Sequence, residues 1–124
     1  MGRRKTNPEA GRAAVASCLA FPDGPAADPQ FATAVRYLLE ELADRAPGNS
    51  VEVRVPPLGA TQCIEGPTHR RGTPPNVIEC DAQTWFAIAV GETSWHDAVA
   101  GGRIRASGTR ADLSEVLPLN FGLN

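Results

Sequence analysis

The stretch NVIECDAQTWFAIAVGETSWHDAVAGGRIRASGTRADLSEVL, residues 76–117, decides the fold because its elements carry their own start and stop signals. Its first part has a short apolar run at 77–80, which predicts a strand. Asp81 then stands where a helix N-cap is expected, and Gly91 stands where that helix would end. The apolar run 82–90 between them predicts the helix itself. The first part therefore predicts a strand followed directly by a helix.

The second part of this stretch predicts a short helix, a strand and a last helix. Ser94 and Asp97 have the spacing of a capping box, which predicts a helix over 95–100. Polar and apolar residues alternate over 103–107, which predicts a strand with one buried face. Another capping pattern follows and predicts a closing helix over 109–117. The apolar residues of that helix are Leu113, Val116 and Leu117.

The N-terminal half predicts two more helices and two more strands. Asn-Pro-Glu at residues 7–9 is a helix start, which predicts a helix over 8–20. Asp-Pro repeats this signal before a longer amphipathic helix, predicted over 29–46. Alternating valines predict a strand at 51–55, and a second strand follows at 60–64. The apolar face of the longer helix consists of Phe31, Ala34, Val35, Leu38, Leu39 and Leu42.

The order strand, helix, helix, strand, helix, with its punctuation ECDAQTWFAIAVGETSWHDAVAGGRIRASGTRADLSEVLPL, resembles the sterol carrier protein family, and in particular its bacterial, actinobacterial-type relatives. The resemblance implies an α/β (α+β) fold. Its mixed sheet would have about four to five strands, with helices packed on one side and an apolar tunnel for a lipid-like ligand. We expect residues 28–124 to form this single domain and residues 1–27 to form an N-terminal helical extension.

Apolar residues on these elements are the candidates for lining a ligand pocket. The tail alternates apolar and polar residues over 119–124, and in sterol carrier relatives the C-terminal segment helps to close the tunnel. Packing in an ordinary core is the alternative role for every one of these residues. The candidate ligand-binding residues are Phe31, Val35, Leu38, Trp85, Ile88, Trp95, Val99, Ile104, Leu113, Leu117 and Phe121.

The longest irregular segment, residues 65–75, contains His69, Arg70 and Arg71. Because arginine offers a planar pair of donors to carboxylates and phosphates, these residues are candidates for a polar rim that meets an anionic head group. The alternative is a solvated loop of ordinary charge. The sequence favours the solvated loop, since nothing in it fixes the geometry of these side chains.

Catalytic and metal-binding motifs are missing from the sequence. Cys63 and His69 are the one pair that a hairpin could bring together as nucleophile and base. His96 and Asp97 are adjacent on a helix and therefore point in different directions. The cysteines lack metal-ligand spacing, so we expect no metal site. Since catalytic motifs are also missing, we expect no cofactor and no catalytic residue. The three cysteines are Cys18, Cys63 and Cys80, and buried free thiols are expected.

Composition limits the partners of the protein. Twelve basic and fourteen acidic residues give a net charge of −2, which argues against nucleic-acid binding. No apolar run approaches the roughly 18 residues that a membrane-spanning helix requires, so stable membrane insertion is not expected. The odd number of cysteines favours a reducing compartment, and we therefore expect a cytoplasmic protein.

Three functional hypotheses follow. The first is non-catalytic binding or transfer of a lipid or other apolar small molecule in an internal pocket. The second is an accessory module that binds a partner protein or a second copy of itself, because domains similar to this one occur fused to thiol-dependent isomerase-like and acyltransferase enzymes. The third is a small enzyme that uses Cys63 and His69.

Overall fold

The computed structural model describes residues 6–68 and 74–119. Within these ranges the chain forms four α-helices, one 3₁₀ turn and four strands. In chain order the elements are α1 (Pro8–Ala20), a 3₁₀ turn (Pro25–Ala27), α2 (Phe31–Arg45), β1 (Val51–Val55), β2 (Gly59–Cys63), β3 (Asn76–Glu79), α3 (Ala82–Val90), α4 (Trp95–Ala100) and β4 (Arg105–Ser107).

The described strands form one mixed sheet in the order β2-β1-β3-β4. Strand β1 pairs antiparallel with β2 and parallel with β3, while β4 pairs antiparallel with β3. The predicted α+β fold with a mixed sheet is therefore confirmed.

The two faces of the sheet differ in polarity because side chains alternate along each strand. Val51, Val53 and Val55 of β1 are buried, whereas Arg54 between them is exposed. The register places Arg54 beside Glu79 on the exposed face, so charges of opposite sign lie on neighbouring strands. The apolar face is covered by α2, which contacts β2.

Helix α2 is the centre of the packing. Val35, Leu38 and Leu42 are buried, as their helical spacing predicted. The indole N–H of Trp85 donates to the carbonyl oxygen of Val35 at 3.3 Å, which joins α3 to α2 inside the core. Glu41, although charged, is also buried on this helix and pairs with Arg45 at 2.8 Å.

The start of α2 differs from the prediction by two residues. The helix begins at Phe31, because Asp28 is extended and its carboxylate accepts the backbone N–H of Gln30 at 2.8 Å. This contact forms a turn that contains Pro29 before the first helical residue. The Asp-Pro sequence therefore marked the beginning of the turn and not of the helix.

Helix α1 has the predicted bounds and packs against α2. The side chain of Asn7 accepts the backbone N–H of Ala10 at 3.0 Å, as expected of an N-cap. Gly11 lies directly against the ring of Tyr37, where a β-carbon would overlap the ring. Glycine inside a helix weakens that helix in isolation. At this position it allows α1 and α2 to approach closely, because it has no β-carbon.

Helices α3 and α4 confirm the predicted caps. Asp81 accepts the backbone N–H of Thr84 at 2.8 Å, and Ser94 accepts that of Asp97 at 3.0 Å. Gly91 ends α3 in the left-handed conformation, with φ of 90°. These two helices therefore begin where their sequence signals indicated.

Two predictions for the C-terminal part are wrong. Strand β4 has no buried face, since it is a three-residue edge strand and the half-buried Ile104 lies before it. The closing helix is replaced by a single turn, in which the N–H of Leu117 donates to the carbonyl oxygen of Leu113 at 3.0 Å. The carboxylate of Asp112 accepts the N–H of Ser114, and Pro118 follows too closely for a second turn.

Candidate functional site

An open cleft of about 430 Å³ lies between the start of α2 and the start of α3. The segment that contains the 3₁₀ turn forms one wall, and the first turn of α3 forms another. Residues from the loop after α3 and from the segment before β4 complete the rim. The lining residues are Asp23, Gly24, Pro25, Ala26, Phe31, Asp81, Gln83, Thr84, Phe86, Glu92 and Arg103.

Two aromatic rings supply the apolar part of the cleft. The ring centroids of Phe31 and Phe86 are 5.7 Å apart, and the ring planes are inclined by 49°. Tilted aromatic pairs at this distance contribute about 0.5–1.5 kcal/mol beyond the area they bury. Phe86 is buried and Phe31 is half-buried, so Phe31 gives the cleft its accessible apolar surface.

Four charged side chains line the same cleft. Three are carboxylates, from Asp23, Asp81 and Glu92, and one is the guanidinium of Arg103. Asp81 is also the N-cap of α3. Among the residues that the structure describes, no ion pair within 4.0 Å involves any of these four groups. The cleft therefore combines an aromatic surface with a predominantly acidic rim.

The wall at residues 21–28 is held in place by hydrogen bonds to both neighbouring helices. The hydroxyl of Ser17 on α1 donates to the carboxylate of Asp28, which also accepts the N–H of Gln30 before α2. These hydrogen bonds lower the pKa of Asp28 below its ordinary value. Asp28 thus connects α1 with the start of α2 and fixes the position of Phe31, three residues later.

The predicted pocket residues lie mostly in the core. Those that are buried there are Val35, Leu38, Trp85, Ile88 and Leu113. Those that are half-buried and pack against it are Phe31, Trp95, Ile104 and Leu117. Val99 is 45% exposed, and Phe121 lies outside the described residues. Among the described members of the predicted set, Phe31 alone lines the cleft, and a ligand-binding role for every member of the set stays a prediction.

The predicted polar rim of His69, Arg70 and Arg71 also lies outside the described residues. Of the tail, Leu119 is described. It is buried, and its N–H donates to the carbonyl of Ala89 at 2.8 Å. The beginning of the tail therefore folds back onto the C-terminal end of α3.

The three cysteines are buried and free. Burial raises the pKa of Cys63 to about 12, while burial and nearby acidic groups raise the pKa of Cys80 to about 12 and that of Cys18 to about 11. At neutral pH these groups are thiols, and the thiol is a poor nucleophile. The proposed partner of Cys63, His69, lies outside the described residues, so the pair itself is not tested.

The described residues contain neither a metal-binding cluster nor a membrane-spanning helix. Across residues 6–68 and 74–119, no three side chains of His, Cys, Asp or Glu come together as a metal-binding group. Within the same ranges, no helix has the length and apolar character needed to cross a bilayer.

Sequence reasoning missed most of the cleft. Asp23, Glu92 and Arg103 come from three loops that are distant in sequence, and isolated charged residues in loops carry no local signal. The sequence identifies Phe86 as an apolar residue of α3, but it does not distinguish Phe86 from the neighbouring residues that face only the core. The position of the 3₁₀ turn beside α3, which a single sequence does not encode locally, makes these residues one site.

The mixed sheet, the helix pair that follows β3 and the adjoining cleft define a sterol carrier-like domain. Residues 28–119, most of the chain, match the family described as bacterial SCP ortholog, and the chain belongs to that family. The match begins after α1, although the division into an extension and a domain stays a prediction. Among curated proteins, none matches this chain.

Proposed function

We propose that this protein binds a lipid or other apolar small molecule and carries it without catalysing a reaction. The cleft beside Phe31 and Phe86 is the observation that carries the proposal. Its volume of about 430 Å³ falls within the range of about 300–1,000 Å³ typical of small-molecule sites. Membership of a sterol carrier-like family supports a carrier role of the same general kind.

The aromatic surface gives the cleft a physical reason to bind an apolar group. Covering the exposed part of Phe31 with a ligand removes apolar surface from water on both partners, which contributes about 25 cal/mol per Å². Charged side chains around the rim remain hydrated when only the apolar part of the ligand enters. The arrangement therefore suits an amphiphile more than a wholly apolar molecule.

A non-catalytic role is supported by the state of the cysteines. Each thiol is buried, and burial raises the pKa of Cys63 to about 12, far above neutral pH. Members of sterol carrier-like families act in general as carriers. Free, buried thiols also support our placement of the protein in a reducing cytoplasm.

Mass spectrometry of the freshly purified protein under native conditions tests the proposal first. We expect a bound small molecule that leaves on denaturation. Isothermal titration with decanol should then show saturable binding, and Phe31→Ala should weaken it by about fivefold or more because the accessible aromatic surface is lost. Leu19→Ala, which removes a side chain that is 39% exposed on α1 outside the cleft, is the matched control.

The opposite outcome favours a different function. If neither a co-purified molecule nor saturable binding of decanol is found, the carrier proposal fails. The interaction-module hypothesis then becomes the better one, and analytical ultracentrifugation would test whether the partner is a second copy of this chain. Equal losses in Phe31→Ala and Leu19→Ala would show that binding does not occur in this cleft.

A further inference from the structure

We infer that the cleft selects amphiphiles with a cationic head group, such as a primary ammonium, over those with a neutral or anionic one. This inference rests on the proposed function, since it names the ligand class of the same cleft. The aromatic surface of Phe31 and Phe86 would hold the apolar body, and the acidic rim would hold the head group.

The cleft carries more negative than positive charge. The carboxylates of Asp23, Asp81 and Glu92 face a single guanidinium, so the lining has a formal excess of two negative charges. Within the described part of the chain none of the four takes part in an ion pair, so these carboxylates are not neutralised by protein cations. A recess lined by one sign of charge raises the local concentration of the opposite ion.

The position of Arg103 strengthens this argument. Its backbone N–H donates to the carbonyl of Ala98 at 3.1 Å, which ties the residue to the end of α4. Its side-chain Nε lies 3.4 Å from the place where a β-carbon on Gly101 would stand, so the side chain lies against the same helix end. The side chain of Arg103 therefore lies beside the C-terminal end of α4, where positive charge is stabilised.

Thr84 provides an independent observation. It lines the cleft although only 5% of its surface is exposed. Its backbone N–H donates a hydrogen bond to the carboxylate of Asp81. Across residues 6–68 and 74–119, no hydrogen bond to its side-chain hydroxyl is formed. A hydroxyl oxygen in this position can accept a hydrogen bond from an ammonium, which carries up to three donors.

Three ten-carbon ligands separate charge from apolar binding. Decylamine, decanol and decanoate share one chain, and each is titrated by calorimetry below its aggregation concentration at pH 7, where the amine is protonated. The whole protein should bind decylamine most tightly and decanoate most weakly, with about a tenfold range between them at low salt. Half-molar salt should narrow that range, because it screens the exposed rim charges.

Variants of the rim locate the effect. Asp23→Asn and Glu92→Gln should each weaken decylamine binding about two- to fivefold and leave decanol binding unchanged. Arg103→Gln should strengthen decylamine binding by a similar factor. Glu115→Gln, which removes the same charge from an exposed residue outside the cleft, is the matched control and should change none of the three affinities by as much.

The outcomes distinguish this inference from the proposed function. If decanol binds in a Phe31-dependent manner and decylamine binds no more tightly, the carrier proposal holds and the cationic preference is overturned. Equal effects of Glu115→Gln and the two rim variants would also overturn it, because the preference would then reflect net charge alone. If none of the three ligands binds, both the proposed function and this inference are overturned.

Discussion

Helices α2 and α3 build both a closed core and an open cleft, and neighbouring residues take part in different regions. Trp85 packs into the core and donates to the carbonyl of Val35, whereas Phe86 faces Phe31 at the cleft. One helical turn separates Phe31 from Val35. In the core, apolar side chains from several elements fill the space between the helices. At the cleft, the facing segment supplies charged and small residues that do not fill it.

The comparison shows that openness here results from the cost of burying charge. Asp23 and Glu92 would lose hydration if they entered the space between the helices, and among the described residues neither carboxylate has an ion-pair partner to offset that loss. Changes in the core should therefore alter stability more than binding, while changes in the cleft should do the reverse.

Removing the side chain of Leu38 should have the largest effect. Leu38 is fully buried in the core, so Leu38→Ala should lower the free energy of unfolding by about 2–5 kcal/mol. Urea denaturation followed by circular dichroism measures the loss. Leu19→Ala on α1 should cost less than about 0.5 kcal/mol, as expected for a surface residue. A loss that small for Leu38→Ala would show that this face of α2 is not core.

Adding one methyl group at Gly11 should destabilise the contact between α1 and α2. The new β-carbon would overlap the ring of Tyr37, and overpacking of this kind costs about 1–3 kcal/mol. Higher helix propensity would offset at most about 1 kcal/mol of that cost. Urea denaturation of Gly11→Ala shows whether the free energy of unfolding falls or rises. Ala13→Gly, at an exposed position of the same helix, is the control for propensity alone.

A net increase in stability for Gly11→Ala would contradict the close approach of the two helices. The glycine would then be merely a weak helix former at a site that tolerates alanine.

The wall of the cleft should loosen in acid. The pKa of Asp28 is lowered chiefly by the hydrogen bond from Ser17 and then by that from Gln30, so the ionised carboxylate stabilises the fold. That contribution is present above the unfolded pKa of about 3.9 and is lost as pH falls through the lower folded pKa. Thermal melts of the protein and of Asp28→Asn between pH 2 and pH 7 measure it.

We expect Asp28→Asn to be the less stable at pH 7, and the difference to shrink below about pH 4 as the wild-type carboxylate is protonated. Ser17→Ala should reduce the acid sensitivity in part, because the hydrogen bond from the N–H of Gln30 to the carboxylate remains. A difference between the protein and Asp28→Asn that does not vary with pH would contradict this account.

The smallest effect should be seen at the cysteines. With its pKa raised to about 12, Cys63 is ionised at pH 7 to a fraction on the order of 10⁻⁵, against about 3% for an ordinary thiol. Iodoacetamide should therefore label all three cysteines slowly in the folded protein and rapidly after denaturation. Cys63→Ser should change ligand binding little. Selective, rapid labelling of native Cys63 would revive the enzyme hypothesis.

The parts of the fold that the sequence predicted well are those with local signals. Asp81 and Gly91 bound α3 correctly because both caps act through backbone groups within one helical turn. The closing helix failed for a related reason. Its capping pattern was present, but Asp112 forms a turn with Ser114, and Pro118 leaves room for only one helical turn.

The sequence could not predict which apolar residues border the cleft. Trp85, Phe86 and Ile88 look alike on a short apolar helix, yet Phe86 alone among the three borders the cleft. The distinction depends on which elements cover each direction of α3, and those elements are distant in the chain. The acidic rim was invisible for the same reason, because its members come from separate loops.

By itself the sequence determined the order of the elements from α1 to β4, the caps of α1, α3 and α4, the alternation of β1 and the resemblance to sterol carriers. These properties follow from backbone hydrogen bonding and from hydrophobic periodicity, both of which act over a few residues. Tertiary structure alone decided that Gly11 admits the ring of Tyr37, that β4 is an exposed edge and that Asp23, Phe31, Glu92 and Arg103 share a cleft. Packing brings together residues that are far apart in the chain, so no local sequence pattern predicts these contacts.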